Sequence, residues 1–178
     1  MRKHEVFEPG KTRHTESVSM TPPQFFRQER DWTCALACIR TMLSGVTEQV
    51  PAELSLVEGA CLKAGPHFSA ELKETGLLKD FDAIFGCDCP EITFDDVIDL
   101  LKDGYYVMVE GMVNYSHWMV LLGFYALGSA EENRLLFFEP YYNEVRLMRA
   151  DEFVGMWVDG NYAESRVKKD FIAVRKAK

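Results

Sequence analysis

The chain has 178 residues, 47% hydrophobic and 27% charged, with 20 Lys and Arg against 28 Asp and Glu for a formal net charge of −8. That length suits one domain, and the apolar content supplies a packed core, which excludes a disordered chain. The acidic balance argues against binding along a nucleic-acid backbone, which needs clustered cations, and no apolar run approaches the roughly 18–20 residues of a membrane span.

Residues 1–21 are polar and charged and read as a loosely packed N-terminal arm, closed by Pro22-Pro23. The domain proper is expected over 22–178. Its first periodic stretch is 34–43, where Leu36, Ile39, Met42 and Leu43 recur at helical spacing. Asp31 and Thr33 are N-cap types just before it, and Ser44-Gly45 stops it. Residues 52–64 predict a second helix, ending before Gly65-Pro66, and a third, shorter one is predicted within 69–85. A fourth is predicted over 94–102, with Thr93 as N-cap and Phe94, Val97, Ile98 and Leu101 on one face.

After Gly104 the composition shifts to aromatic and β-branched residues. Strands are predicted over 105–113, 117–125, 135–138 and 144–148, then a short helix over 150–157 and a last strand over 171–175. The basic tail from Arg166 reads as a solvated edge strand. Helices followed by strands with short turns make an α+β fold, an N-terminal helical half packed on a mostly antiparallel sheet half with a cleft between them.

Five cysteines is an odd and sparse set for this length. It argues against a disulfide-stapled secreted scaffold, and the N-terminus lacks an apolar signal core, so a reducing cytoplasm is the expected compartment. Cys87-Asp88-Cys89-Pro90 has no second Cys pair or nearby His, and reads as a loop. No metal and no cofactor is expected. Of the four histidines, His4 and His14 fall in the arm, His67 follows Gly65-Pro66, and His117 opens an apolar strand.

Cys34 and Cys38 could simply be small buried residues one helical turn apart. Cys34, however, stands at a helix start, where partial positive charge favours a thiolate. Gln28 stands six residues upstream (34 − 28) and supplies a side-chain amide able to hold a tetrahedral oxyanion together with the Cys34 N–H. His117 follows Cys34 by 83 residues (117 − 34) and is the candidate base. Glu139, 22 residues further on (139 − 117), ends the next strand and is placed to orient that ring, with Asn143 as the other acceptor within reach. Trp118, Tyr141 and Tyr142 are candidates to line a substrate groove, though aromatic side chains serve core packing more often.

These residues carry a resemblance. Gln28 with Cys34, the run His117-Trp118-Met119-Val120-Leu121-Leu122-Gly123-Phe124, and Phe137-Phe138-Glu139-Pro140 resemble the papain-like cysteine peptidases, and most closely the double-glycine (bacteriocin-processing) leader peptidases. The helix over 94–102 and the acidic, aromatic run 151–157 also resemble segments of that family. Three positions differ: Thr33 stands where the family usually has Asp, Ala35 where it has Gly, and Glu139 where it has Asp or Asn. The resemblance implies a stand-alone thiol peptidase acting on a peptide or protein substrate. The same triad chemistry also serves deamidation or transglutamination, and the Glu139 departure leaves open a papain-like fold kept as a non-catalytic binding module.

Overall fold

The computed structural model of the chain describes residues 12–59, 68–112, 116–159 and 169–177. In chain order the elements are β1 (Val18–Ser19), α1 (Cys34–Leu43), α2 (Glu53–Gly59), α3 (Phe68–Thr75), β2 (Phe81–Phe85), α4 (Phe94–Lys102), β3 (Tyr106–Met112), β4 (Ser116–Tyr125), β5 (Arg134–Glu139), β6 (Glu144–Arg149), α5 (Ala150–Asp159) and β7 (Phe171–Lys176). A short 3-10 turn, Gly86–Asp88, links β2 to α4. The sheet runs β2-β7-β3-β4-β5-β6, with β1 added against β4. Every strand pair is antiparallel, as expected for strands joined by short turns.

Both faces of this sheet are covered. Met108, Trp118, Val120, Leu122, Phe138, Ile172 and Val174 pack with Leu36, Ile39 and Met42 of α1, Leu56 of α2 and Phe68 and Leu72 of α3. Val107, Val109, Leu121, Phe137 and Phe171 face the other way and pack with Phe94 and Ile98 of α4 and Phe153 and Trp157 of α5. Alternate residues along each strand thus serve opposite layers, the period of two that a pleated strand imposes. Nine of the ten residues of α1 are buried, and a helix apolar on nearly every side must be a core helix.

Several expectations need correcting. The short helix expected within 69–85 is α3, which ends at Thr75; Gly76 takes a left-handed φ of 67°, and Phe81–Phe85 beyond it is a strand that the sequence pattern did not predict. That unrecognised strand changes the place of the last one. With β2 outside it, β7 lies between β2 and β3, and Phe171, Ile172, Ala173 and Val174 are fully buried instead of forming a solvated edge. The polar segment is also tied down over its described part. The Arg13 N–H donates to the Asp95 carboxylate, Val18–Ser19 pairs with Phe124 and Gly123, and the Met20 N–H donates to the Leu122 carbonyl. Gly123 permits this approach, since a Cβ there would lie 2.9 Å from the Val18 carbonyl oxygen. Finally, Thr33 precedes α1 but makes no side-chain cap; its hydroxyl is spent on the 30–33 turn, donating to the Arg30 carbonyl and accepting from the Arg30 N–H.

Helix α4 matches its sequence signature. Thr93 accepts from the Asp96 N–H while the Asp96 carboxylate accepts from the Thr93 N–H, a reciprocal capping box. Thr93→Ala removes half of that box and is expected to lower unfolding stability by about 1 kcal/mol without changing the fold, measured by chemical denaturation.

Candidate functional site

Three elements bring the candidate residues together. The loop before α1 is anchored first. The Phe26 N–H donates to Thr41 Oγ1 at 3.0 Å, and the Arg40 guanidinium lies over the Phe26 ring and bridges to Glu29 at 2.9 Å. Glu53, at the start of α2 and almost fully buried, accepts the Glu29 N–H at 3.2 Å. Burial pushes the Glu53 carboxyl up, against the nearby Thr33 side chain and the Glu29 N–H, which hold it down. The Gln28 N–H donates to the Pro140 carbonyl at 3.1 Å, which sets Gln28 beside the end of β5. The loop then delivers Cys34 as the first residue of α1, with no side chain capping that helix end. Its first-turn N–H groups are therefore left by Thr33 to other acceptors, a condition for an oxyanion hole.

His117 and Glu139 meet across β4 and β5. The pairing of Val120 with Phe138 fixes the register. The Glu139 Oε1 lies 2.9 Å from His117 Nε2 and also accepts the Tyr141 N–H at 2.8 Å. Arg146 Nη1 stands 3.8 Å from the other carboxylate oxygen. The Cys34 side chain is the other group that acts on the His117 ring. Cys34 itself is only 6% exposed. The order sulfur, imidazole, carboxylate is that of a nucleophile, a base and a group orienting the base.

Electrostatics follow this geometry. Burial would lower the His117 pKa, but the hydrogen bonds to Cys34 and Glu139, with the charge each carries when ionised, raise it to about 9. Burial would raise Glu139, and the His117 bond and charge, the Tyr141 N–H and Arg146 reverse that, so its carboxyl lies below the ordinary value.

The remaining candidates divide. Gln28 is 8% exposed; its amide Nε2 donates to the Arg30 carbonyl at 2.7 Å, and its Oε1 is buried without a partner. A cavity of about 290 Å³ beside it is lined by Arg27, Gln28, Glu29, Arg30, Asp31 and Tyr141. Tyr141 is 44% exposed there, and Tyr142 packs edge-on against it, with the Arg146 guanidinium over the Tyr142 ring. Trp118 is not at a groove: it is fully buried against Phe68, because the strand alternation turns it to the α1 layer. Asn143 is exposed on the β5–β6 turn with φ 56°, a turn residue, and Glu139 makes the bond to His117 instead. Sequence reasoning missed Glu53, whose signal was weak: a lone Glu at a helix start reads as an ordinary dipole partner.

Cys87 is exposed and Cys89 half-buried at the 3-10 turn, while Cys61 and His67 lie outside the described residues. Among the described residues no group of three or more His, Cys, Asp or Glu could hold a metal ion, and no helix is long and apolar enough to cross a membrane.

No protein-family model and no curated protein matches the sequence. Among solved structures, the chain is similar to UfSP from C. elegans, a cysteine protease of the papain-like fold, with a TM-score of 0.52 over 97% of this chain and 18% identity. The match covers 35% of that protein, so this chain spans about a third of its length. The likeness shows the fold, α+β and papain-like; among the described residues it has a seven-stranded antiparallel sheet and five helices.

The site makes a pH prediction. A raised His117 pKa means its contribution to stability is complete below the ordinary imidazole value of about 6.5 and is lost as pH rises through about 9. The lowered Glu139 pKa means the pair also weakens in acid, as pH falls through the folded carboxyl value. An NMR titration of the His117 ring is expected to show a midpoint near 9, moving down toward the ordinary range in Glu139→Gln. A wild-type midpoint at the ordinary imidazole value would refute the arrangement.

Proposed function

We propose that this protein is a thiol-dependent peptidase that cleaves peptide (amide) bonds. The observation that carries the reading is the His117 ring, held by the Glu139 carboxylate at 2.9 Å and acted on by the Cys34 side chain. In the proposed reaction, Cys34 Sγ attacks the scissile carbonyl carbon after passing its proton to His117. The tetrahedral oxyanion is stabilised by the Cys34 N–H and the Gln28 amide, whose Nε2 keeps a second hydrogen beyond the one given to Arg30. His117 returns the proton to the leaving amine, and the acyl group stays on Cys34 as a thioester. His117 then takes a proton from water, which attacks the thioester and frees the acid and the thiol. Glu139 keeps the ring in the orientation both steps need.

The substrate class is a peptide or protein, with Tyr141, which lines the Gln28 cavity, and the exposed Tyr142 packed against it as the groove residues. The order of Gln28, Cys34, His117 and the acidic end of β5 supports a functional likeness to the leader-processing branch of the papain-like peptidases. Free Cys34 and Cys38 suit a reducing compartment, for which the cytoplasm is our assignment. Neither nucleic acid nor a membrane belongs to the proposed reaction. The rival roles, acyl transfer to an amine and a binding module without turnover, differ in product: a transferred acyl group, or none.

The test uses reactivity against exposure. Cys87 is exposed and Cys34 nearly buried, so an indiscriminate reagent modifies Cys87 first. An electrophilic peptide, such as a vinyl sulfone, is expected to modify Cys34 first, read by peptide mass mapping. Cys34→Ala is expected to abolish peptide cleavage, by at least about 10³-fold, with nearly unchanged thermal stability. Gln28→Ala is expected to lower kcat by about 10²–10³-fold. Full cleavage by Cys34→Ala, or first modification at Cys87, would overturn the reading.

A further inference from the structure

The mechanism above leaves one buried thiol unused. Cys38 lies one turn after Cys34 on the same face of α1 (38 − 34 = 4) and has no exposed surface. Its Sγ donates to the Trp118 carbonyl at 3.3 Å, the peptide that immediately follows His117.

The sheet explains why that carbonyl needs a donor from outside it. Glu110 stands opposite Trp118 in the β3–β4 ladder. The Glu110 N–H, however, donates to the Asp170 carbonyl on the β7 side. Because the N–H and C=O of one strand residue point to the same side, Glu110 and Trp118 form a non-hydrogen-bonded pair, and the Trp118 carbonyl points away from β3, toward β5. The β4–β5 ladder reaches Val120 with Phe138. Two steps further (120 − 2, 138 + 2) the residue opposite Trp118 is Pro140, which has no N–H to give. Helix α1 fills the vacant ladder position with a thiol.

We propose that Cys38 is a positioning residue, which fixes the helix carrying Cys34 against the strand carrying His117 by donating S–H to the Trp118 carbonyl where Pro140 cannot. This deepens the peptidase reading and rests on it. Burial, and then the nearby charges of Cys34 and Glu139, push the Cys38 thiol well up, so it stays protonated and remains a donor across the working pH range. Those two charges also show that Cys38 sits among the groups it would align. A thiol is a weak donor, but an orphaned buried carbonyl is costly, so removing the donor shifts the local geometry more than the bond itself is worth.

The test compares Cys38→Val, close in volume and without a donor, with Cys38→Ser, which keeps an O–H on a shorter arm. Folding of each is checked by circular dichroism and thermal unfolding. Cys38→Val is expected to lower kcat about tenfold with little change in KM, to slow iodoacetamide modification of Cys34, and to lower the His117 NMR midpoint. Cys38→Ser is expected to fall between Cys38→Val and wild type on all three readouts. A folded Cys38→Val with the wild-type His117 midpoint and Cys34 modification rate would overturn the inference, as would Cys38→Ser no better than Cys38→Val. Two of the three readouts need no substrate. An inactive wild type therefore refutes the peptidase reading, whereas wild-type behaviour of Cys38→Val refutes this role alone.

Discussion

The hydrogen bond between His117 and Glu139 is the constraint around which the rest of the site is arranged. A nearly buried carboxylate is tolerable only when its oxygens are met, and Glu139 is met by the imidazole, the Tyr141 N–H and Arg146. Removing one partner leaves a charge stranded, which costs more than the pair contributes. That asymmetry demands adjacency of β4 and β5 in one register, and the Val120–Phe138 pair supplies it. It also demands a covered sheet, because an exposed pair of this kind would be screened by water. The α1 layer on one face and the α4 and α5 layer on the other provide that cover.

Against this frame, α1 behaves as a buried wedge whose N-terminal end surfaces at the His117 ring. The loop before it is stitched to α1 through Thr41 and Arg40, to α2 through Glu53, and to the end of β5 through Pro140. Gln28 is thus located by backbone bonds on both sides of the cleft. The longer Glu in place of Asp is accommodated in the same way: one carboxylate oxygen bridges the Tyr141 N–H and the His117 ring, so the extra methylene changes the path of the side chain and leaves its reach intact.

The parts legible in the sequence were those with a strong local signal. Helix α1 and helix α4 carry apolar stripes at helical spacing, and α4 adds a capping box. Strands β3 to β6 are aromatic and β-branched between turn residues, and their ends fell within a residue or two. The adjacency of His117 and Glu139 was legible because both lie near strand ends, where a side chain can face a cleft. What failed depended on partners far along the chain. The run Phe81–Phe85 has only five residues and follows a helix closely, so its pairing with β7 was invisible. Missing it made β7 look like an edge, although four consecutive apolar residues, 171–174, fit a strand buried on both faces.

Side-chain direction was the other source of error. Trp118 beside the base suggested a groove, but its side chain turns into the α1 layer and packs on Phe68, so Trp118 is core. Thr33 had the right type for a cap, yet the 30–33 turn consumed its hydroxyl. The polar composition before Pro22 hid a two-residue strand, since so short a pairing rests on backbone bonds and the small Gly123, and leaves little trace in apolar pattern.

The most direct measurement is an acid quench of the wild-type protein during turnover of an activated peptide ester, followed by peptide mass mapping. The expected result is a thioester-linked acyl group on the peptide containing Cys34, absent in Cys34→Ala. Turnover with no acyl group on Cys34, or with the acyl group on another cysteine, would contradict the assignment of Cys34, His117 and Glu139 as an acyl-transfer site.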